Sequence, residues 1–507
     1  MTRAFRTYTH EHGGRVSLLF LLFLLAIYNF ITSGFNTFAI VCSIPLIIIC
    51  VYIAFKWQHI VFWGLIFVNY FLPFLNKNEW LPYGIPLSIY NELLEIALIA
   101  IVLIDIRKDH HWGRTMNLMT FATFLWTIIC FLELFNNTCR LGINVSAWFT
   151  GFRLMALQLF YFIIIFSLYI NKPEILTRYI RIWACLSLFS VYWTYKQQYI
   201  GLTHAESAWL YGSGAGTHIV NGITRYWSTF NDAANYGCNA AATSVAFFLL
   251  GLTSKFNKDR IFYILTGSAV LWGMFASGTR TAIGCFFAGL MLYVVLSKSV
   301  KMAVPIIFFG IISFSLLAFT NIGQGNSQIR RMRSALNKND ASANVRDINK
   351  ATMAKYLQDA PWGIGISIRS GDVPARNKYV ILSNIAPDSE YVYMWIHTGK
   401  IGVAFFAFSM ILMLIGACRI VLFKLKNRSL IGIGAALCCA FAAIQLGAYL
   451  NQVLYQYPNG LIFFGGLAIV YVLPYIEKDW EIYEQRKISK KEEKRSLKLE
   501  KKLASRV

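Results

Sequence analysis

Asp388-Ser389-Glu390-Tyr391-Val392-Tyr393-Met394-Trp395-Ile396-His397-Thr398-Gly399-Lys400-Ile401-Gly402 closes a polar interval of nearly seventy residues that opens at Asn321 and gives way here to an apolar run. On either side of that interval, long apolar segments alternate with short hydrophilic joints. Joints between spanning helices are usually brief connectors. A long one rich in Arg, with a helix-like stretch over residues 344–358, is therefore a candidate functional module.

The 507 residues are 57% hydrophobic and 14% charged, with a mean hydropathy of +0.52, which excludes an ordinary soluble domain and predicts an all-α integral membrane protein. A bilayer core of about 30 Å needs about 20 apolar residues per helix. On that rule the sequence predicts a polytopic bundle of about fourteen spans (twelve to fourteen), beginning near Val16, Asn36, Ile60, Ile85, Asn117, Thr150, Ile175, Tyr236, Arg260, Arg280, Met302, Gly399, Ser429 and Asn459. Eleven spans fall in residues 1–320, with an outer loop at 201–235. The large loop follows at 321–398, three spans at 399–477, and a basic tail at 478–507. Residues 1–15 are basic and lead into the first apolar run without a small-residue cleavage site, so that run reads as an uncleaved span. The ten cysteines lie mostly inside apolar runs, with no CxxC pair and no zinc spacing, and read as small packing residues.

The net charge of +23 sits in the joints, where it sets orientation, and nucleic-acid binding is rejected on that ground. With the N-terminus cytoplasmic, the inner joints at Lys56 and at 107–114, 172–181, 255–260, 298–301 and 424–428 are all basic. Both termini are then cytoplasmic, and residues 75–84, 135–148, 201–235 and 321–398 lie outside. The large loop breaks the positive-inside rule, since Arg330, Arg331, Arg333, Lys338, Arg346 and further Lys and Arg outnumber its five Asp. Long translocated segments largely ignore that rule. An anionic ligand is the other reading.

Arg280 stands in Ser277-Gly278-Thr279-Arg280, at an outer hairpin between two spans. A guanidinium at a membrane boundary needs a partner, and its planar fork suits phosphate oxygens. Arg225 lies in Arg225-Tyr226-Trp227-Ser228-Thr229-Phe230-Asn231-Asp232, just before another span, and Arg346 opens the helix-like stretch of the large loop. Pro361-Trp362-Gly363-Ile364-Gly365 supplies a turn where backbone amides can approach a ligand. Asp388, after Pro387, suits a helix N-cap or a base that takes a proton from an attacking hydroxyl, and His397 is a second acid/base candidate nine residues on. Nucleotide-binding and metal motifs are absent from the outer loops.

Taken together, residues from about 225 to 402 resemble the O-antigen ligase and polymerase superfamily of bacterial envelope glycosyltransferases. The resemblance is carried by the Arg225 segment, the Arg280 hairpin, Ala343-Asn344-Val345-Arg346 and Asp359-Ala360-Pro361-Trp362-Gly363-Ile364-Gly365. It extends to the return into the membrane, where ligases have His-Ser-x-x-Leu-x6-Gly-x-x-Gly. This chain has Asp388-Ser389-x-x-Val392-x6-Gly399-x-x-Gly402, with the spacing intact and Asp in place of His.

The resemblance implies transfer of a glycan from an undecaprenyl diphosphate-linked donor to a saccharide acceptor, among membrane lipid, at the periplasmic face of the bacterial inner membrane. It implies no metal and no cofactor. Arg280, Arg346 and Asp388 become the expected catalytic residues, with Arg225, Ser389, Gly363, Gly365 and His397 expected to bind substrate. Ligase, repeat-unit polymerase and protein O-oligosaccharyltransferase stay open. A lipid-linked oligosaccharide flippase is the non-enzymatic alternative, but a transporter places its charges at mid-membrane between repeats, and here the cations gather at one face.

Overall fold

The structure is a computed structural model that describes residues 52–82, 84–105, 111–220, 222–321, 325, 327–333, 341–385 and 387–504, with single residues at 17, 21, 23, 24, 28, 32 and 49. The two spans expected from Val16 and Asn36 lie outside the described residues, as do Lys338 and Asp340. The chain divides into two units, Met1–Gly64 with Ala100–Lys108, and Leu65–Ile99 with Asp109–Val507. In the first, Gln58 Nε2 donates to Asp105 Oδ2 at 2.8 Å. The second holds every candidate site residue discussed below.

The other twelve expected spans fall on described helices, not all of them long and apolar enough to cross a membrane. They are α1 (Gln58–Lys77), α2 (Leu87–Ile104), α3 (Leu118–Leu132), α4 (Val145–Tyr169, running through a π-turn at Arg153–Leu157) and α5 (Pro173–Tyr195). After the short α6 (His204–Tyr211) come α7 (Ala233–Thr253), α8 (Asn257–Ala276), α9 (Arg280–Leu296) and α10 (Val300–Phe319). The large polar interval contains α11 (Ser327–Arg333) and α12 (Ala341–Leu357), and is followed by α13 (Glu390–Arg419), α14 (Arg428–Leu450) and α15 (Gly465–Ala504). Eight described helical segments are long and apolar enough to cross a membrane, and Arg280–Leu296 and Ala303–Ile312 are shorter apolar ones.

Polar caps set where these helices begin. Asn117 accepts from the amides of Met119 and Thr120, Asp232 from Ala234 and Asn235, and Asn427 from Ser429 and Leu430. Each side chain satisfies helix amides that have no partner inside the helix.

Helix α7 packs against α8, α9 and α14. The α7 and α14 faces are built from small residues, including Gly237, Ala240, Ala241 and Ala242 on one and Gly434, Ala435, Ala436 and Ala440 on the other, all buried. In lipid, apolar surface gains little by leaving its solvent, so helix association depends on close packing and small residues permit it. Gly237 decides the position of the α8–α9 hairpin, because a Cβ there would stand 2.4 Å from Ser277 Oγ and 2.7 Å from Thr279 Cβ.

The polar interval is folded over residues 341–385. Met353 and Leu357 of α12 are buried with Ala360, Ile364, Val373 and Leu382 against Val392 and Ile396 of α13, and with Cys139. α13 begins at Glu390, nine residues before the expected start at Gly399, and Gly399 is a kink within it (φ 63°, ψ −168°). The Pro361–Gly365 turn seats in that kink. A Cβ on Gly399 would lie 2.0 Å from the Pro361 carbonyl oxygen, and one on Gly363 (φ +73°) would lie 2.5 Å from the Gly399 nitrogen. Only glycine fits both the close approach and the positive φ.

Candidate active site

The amino-terminal ends of α7, α9 and α13 carry three of the acidic and basic residues quoted from the sequence. Asp232 caps α7, Arg280 is the first residue of α9 after Thr279, and Asp388 immediately precedes the Ser389 cap of α13. Helix amino termini present unsatisfied amides and a positive dipole end, and a cation at the first turn is disfavoured unless an anion shares the place.

Thr279 ties two of these ends together. Its hydroxyl donates to the Ala233 carbonyl at 2.6 Å and accepts from Arg225 Nη2 at 3.1 Å, while Arg225 Nη1 donates to the Thr217 carbonyl at 3.0 Å. Arg225 Nε is buried and has no hydrogen-bond partner among the described residues. Burial pulls the Arg225 pKa down, Asp232 opposes that, and the charges of Arg280 and Arg346 pull it further down. Arg225 is thus within electrostatic reach of both other arginines. Arg331 joins them, its Nε donating to the Gly278 carbonyl at 2.9 Å. Such an accumulation of like charge is costly without anions.

Asp388 faces one of them, Arg346. Its Oδ1 lies 3.9 Å from Arg346 Nε, and both side chains are 35% exposed. The N-cap reading of Asp388 is corrected by the structure: Ser389 caps α13, its hydroxyl accepting from the Val392 amide at 3.1 Å, which leaves the Asp388 carboxylate out of the helix's hydrogen bonding. Ser389 itself is buried and committed to that bond.

His397 and the two glycines sit differently from expectation. His397 is buried, with Nδ1 3.0 Å from the Gly365 carbonyl oxygen and its ring 4.3 Å from that of Tyr393. The Gly365 amide donates to the His397 carbonyl, and the Gly363 amide to that of Ala360, each at 2.9 Å. These groups lock the turn onto the α13 kink; their amides are used inside the protein, and substrate contact through them forms no part of the proposal below.

Four further residues belong to this face. Asp232 offsets Arg225, and Arg331 braces the hairpin. Glu390 is buried and accepts from the Leu454 amide through Oε2 at 3.2 Å. Lys77, at the end of α1, places Nζ 3.3 Å from the Trp209 ring centroid and 4.7 Å from that of Trp227, and donates to the Asn231 carbonyl at 2.5 Å. Asp232 shows a capping pattern ahead of an apolar run; Glu390 has no local signal, because its partner is sixty-four residues away. Behind them His218 accepts the Ala233 amide on Nε2 at 3.0 Å and meets Thr217 Oγ1 through Nδ1 at 2.8 Å.

Residues 264–407 match the family model described as O-antigen ligase, which supports the O-antigen ligase and polymerase superfamily for this chain. That stretch contains Arg280, Arg346 and Asp388, and stops short of the loop after α14. The match covers less than half of the chain; with the membrane-capable helices it points to a membrane protein similar to glycan ligases and polymerases. No curated protein matches the chain.

Proposed function

We propose that the chain transfers a glycan from an undecaprenyl diphosphate carrier to a saccharide hydroxyl, without metal, at the periplasmic face of the bacterial inner membrane. The observation that carries this reading is that Arg225 lies within electrostatic reach of Arg280, at the amino terminus of α9, and of Arg346, which faces the Asp388 carboxylate at 3.9 Å.

The parts suit one displacement. Asp388 accepts the proton of the acceptor hydroxyl, whose oxygen attacks the anomeric carbon. The bond from that carbon to the phosphate oxygen breaks, and its electron pair leaves with the lipid diphosphate. Arg280 and Arg346, with Arg225 behind them, neutralise the oxygens on which charge develops. A direct displacement of this kind inverts the anomeric centre. The acceptor is lipid A-core for a ligase, the growing chain for a polymerase, or a protein hydroxyl for an oligosaccharyltransferase.

The test is reconstitution of purified protein in lipid nanodiscs with an undecaprenyl diphosphate-linked glycan and a saccharide acceptor. Acceptor-dependent release of undecaprenyl diphosphate is the expected result, and its absence in protein shown to be folded overturns the reading. A deletion strain then assigns the acceptor on a lipopolysaccharide gel. Loss of all O-chain indicates a ligase, core bearing one repeat a polymerase, and an unchanged ladder a different acceptor.

A further inference from the structure

Residues 451–459, between α14 and α15, touch all three helix amino termini that form the site. Toward α9, Asn451 Nδ2 donates to Thr281 Oγ1 at 2.9 Å, one residue after Arg280. Toward α13, the Glu390 amide donates to the Asn451 carbonyl at 3.4 Å, and Glu390 Oε2 accepts the Leu454 amide at 3.2 Å, two residues after Asp388. Toward α7 there is a set of amides. Asn235 Nδ2 donates to the Tyr457 carbonyl at 3.1 Å, Asn231 Nδ2 to Gln456 Oε1 at 3.3 Å, and Asn239 Nδ2 to Asn459 Oδ1 at 2.7 Å. Asn459 in turn donates through Nδ2 to Asn235 Oδ1 and to the Val453 carbonyl.

Arg280 opens α9 and Asp388 lies just ahead of α13, with the polar interval between them in sequence, and the arginine that bridges toward Asp388 does so across 3.9 Å. That loose pair does not fix their spacing. The buried bonds of the 451–459 segment are better placed to do so. Glu390 is 6% exposed, Asn235 and Asn459 are fully buried, and bonds of this kind are costly to leave unmade where water is excluded.

We infer that residues 451–459 form a strap that sets the spacing between Arg280 of α9 and the carboxylate ahead of α13, with Asn451 and Glu390 as positioning residues that do not touch substrate. The inference rests on the proposed transfer for its kinetic consequence, and on the hydrogen bonds alone for its structural one. Holding reacting groups in register is worth large factors, and a shift of about 1 Å can cost about a hundredfold in rate.

The experiment compares Asn451→Ala, Glu390→Ala and Glu390→Gln in the full-length protein in nanodiscs, by hydrogen–deuterium exchange and by glycan transfer. Asn451→Ala and Glu390→Ala should speed exchange in peptides spanning residues 279–283 and 389–394, but not in the middle of α8. They should lower kcat at least about tenfold with donor KM changed less than about threefold. Glu390→Gln keeps an oxygen for the Leu454 amide and should stay close to the parent in both readouts. Unchanged exchange at both helix ends overturns the strap. So does a Glu390→Gln variant as inactive as Glu390→Ala, because the charge would then be needed in the chemistry. If Asn451→Ala does not fold, Thr281→Val removes the same bond from its other end. A parent protein that transfers no glycan counts against the proposed function, while the exchange data still decide the strap.

Discussion

Arg346 and Asp388 stand 3.9 Å apart, Nε to Oδ1, each about one-third exposed. The spacing is too long for a charge-assisted hydrogen bond and short enough for the two charges to feel one another. A pair of this kind leaves both groups able to meet a ligand, the guanidinium an anion and the carboxylate a hydroxyl. A clasp between α12 and α13 built only for stability would be expected to close to hydrogen-bond distance.

Because Ser389 supplies the α13 cap, substitution at Asp388 reports on chemistry with little interference from folding. Asp388→Asn should insert and melt like the parent yet transfer glycan at least about a hundredfold more slowly, as loss of a general base typically costs about 10² to 10⁴ in rate. Asp388→His, the residue that resembling ligases have there, should retain measurable transfer. Ser389→Ala should show the opposite pattern, a stability loss of about 1 kcal/mol in thermal unfolding. Full activity in Asp388→Asn would remove the carboxylate from the mechanism.

The helices were legible because apolar runs are punctuated by polar caps such as Asn117, Asp232 and Asn427, all of which act locally. The beginning of α13 was not. Its first segment, from Glu390 to Thr398, mixes polar and aromatic residues, and the kink at Gly399 separates it from the uniformly apolar run that hydropathy detects. The N-cap reading falls on Asp388, one residue ahead of the actual cap Ser389, because both residue types favour that position. The arginines could be chosen from their motifs, but their grouping depends on Thr279 reaching Ala233 and on Gly237 admitting the hairpin. Glu390 and Asn451 gain meaning only through partners distant in sequence, Leu454 and Thr281. The roles expected of Gly363, Gly365 and His397 followed from their neighbourhood, whereas the structure joins them to one another.

Arg280→Lys should be nearly as damaging as Arg280→Ala. Lys keeps the charge but loses the planar fork that contacts two phosphate oxygens together. Loss of one charge-assisted contact is worth about 1.5 to 3 kcal/mol, roughly ten- to a hundredfold in rate. Steady-state transfer at matched expression measures it. Near-normal turnover in Arg280→Lys would show that position 280 needs only a positive charge.

Acid should loosen the site through His218. Burial, with the charges of Arg225, Lys77 and Arg331 nearby, pushes its pKa down from 6.5 to about 3. The neutral ring accepts the Ala233 amide on Nε2, which protonation would forbid. The unfolded chain therefore binds a proton that the folded one refuses between about pH 6.5 and pH 3. The stability from this group is complete above that window and falls, by up to about 1.4 kcal/mol per pH unit, as pH drops through it. Fluorescence of Trp209 and Trp227, which pack on His218, should report the change, and His218→Gln should flatten the profile. A parent profile flat from pH 7 to pH 4 would argue against it.

Transfer should survive excess chelator. Arginines occupy the places where a metal-dependent glycosyltransferase holds clustered carboxylates, and among the described residues no three His, Cys, Asp or Glu side chains are grouped to hold an ion. The measurement is product formation with and without EDTA, after dialysis against the chelator. Loss of activity restored by magnesium or manganese would replace the arginine mechanism with one in which a cation carries the diphosphate.

The proposed orientation rests on the basic joints and can be tested with two single cysteines. Ser370 is exposed in the folded interval between α12 and α13, and Ser489 is exposed on the extension of α15. With the site on the periplasmic side and the tail in the cytoplasm, Ser370→Cys should react with a membrane-impermeant maleimide in intact spheroplasts. Ser489→Cys should react only after permeabilisation. The background is low, because most native cysteines among the described residues are buried, although Cys185 is exposed and needs replacement by Ser first. Labelling of both positions from one side would break the alternation of inner and outer joints, and would move Arg280 and Asp388 away from the face where a lipid-linked glycan is presented.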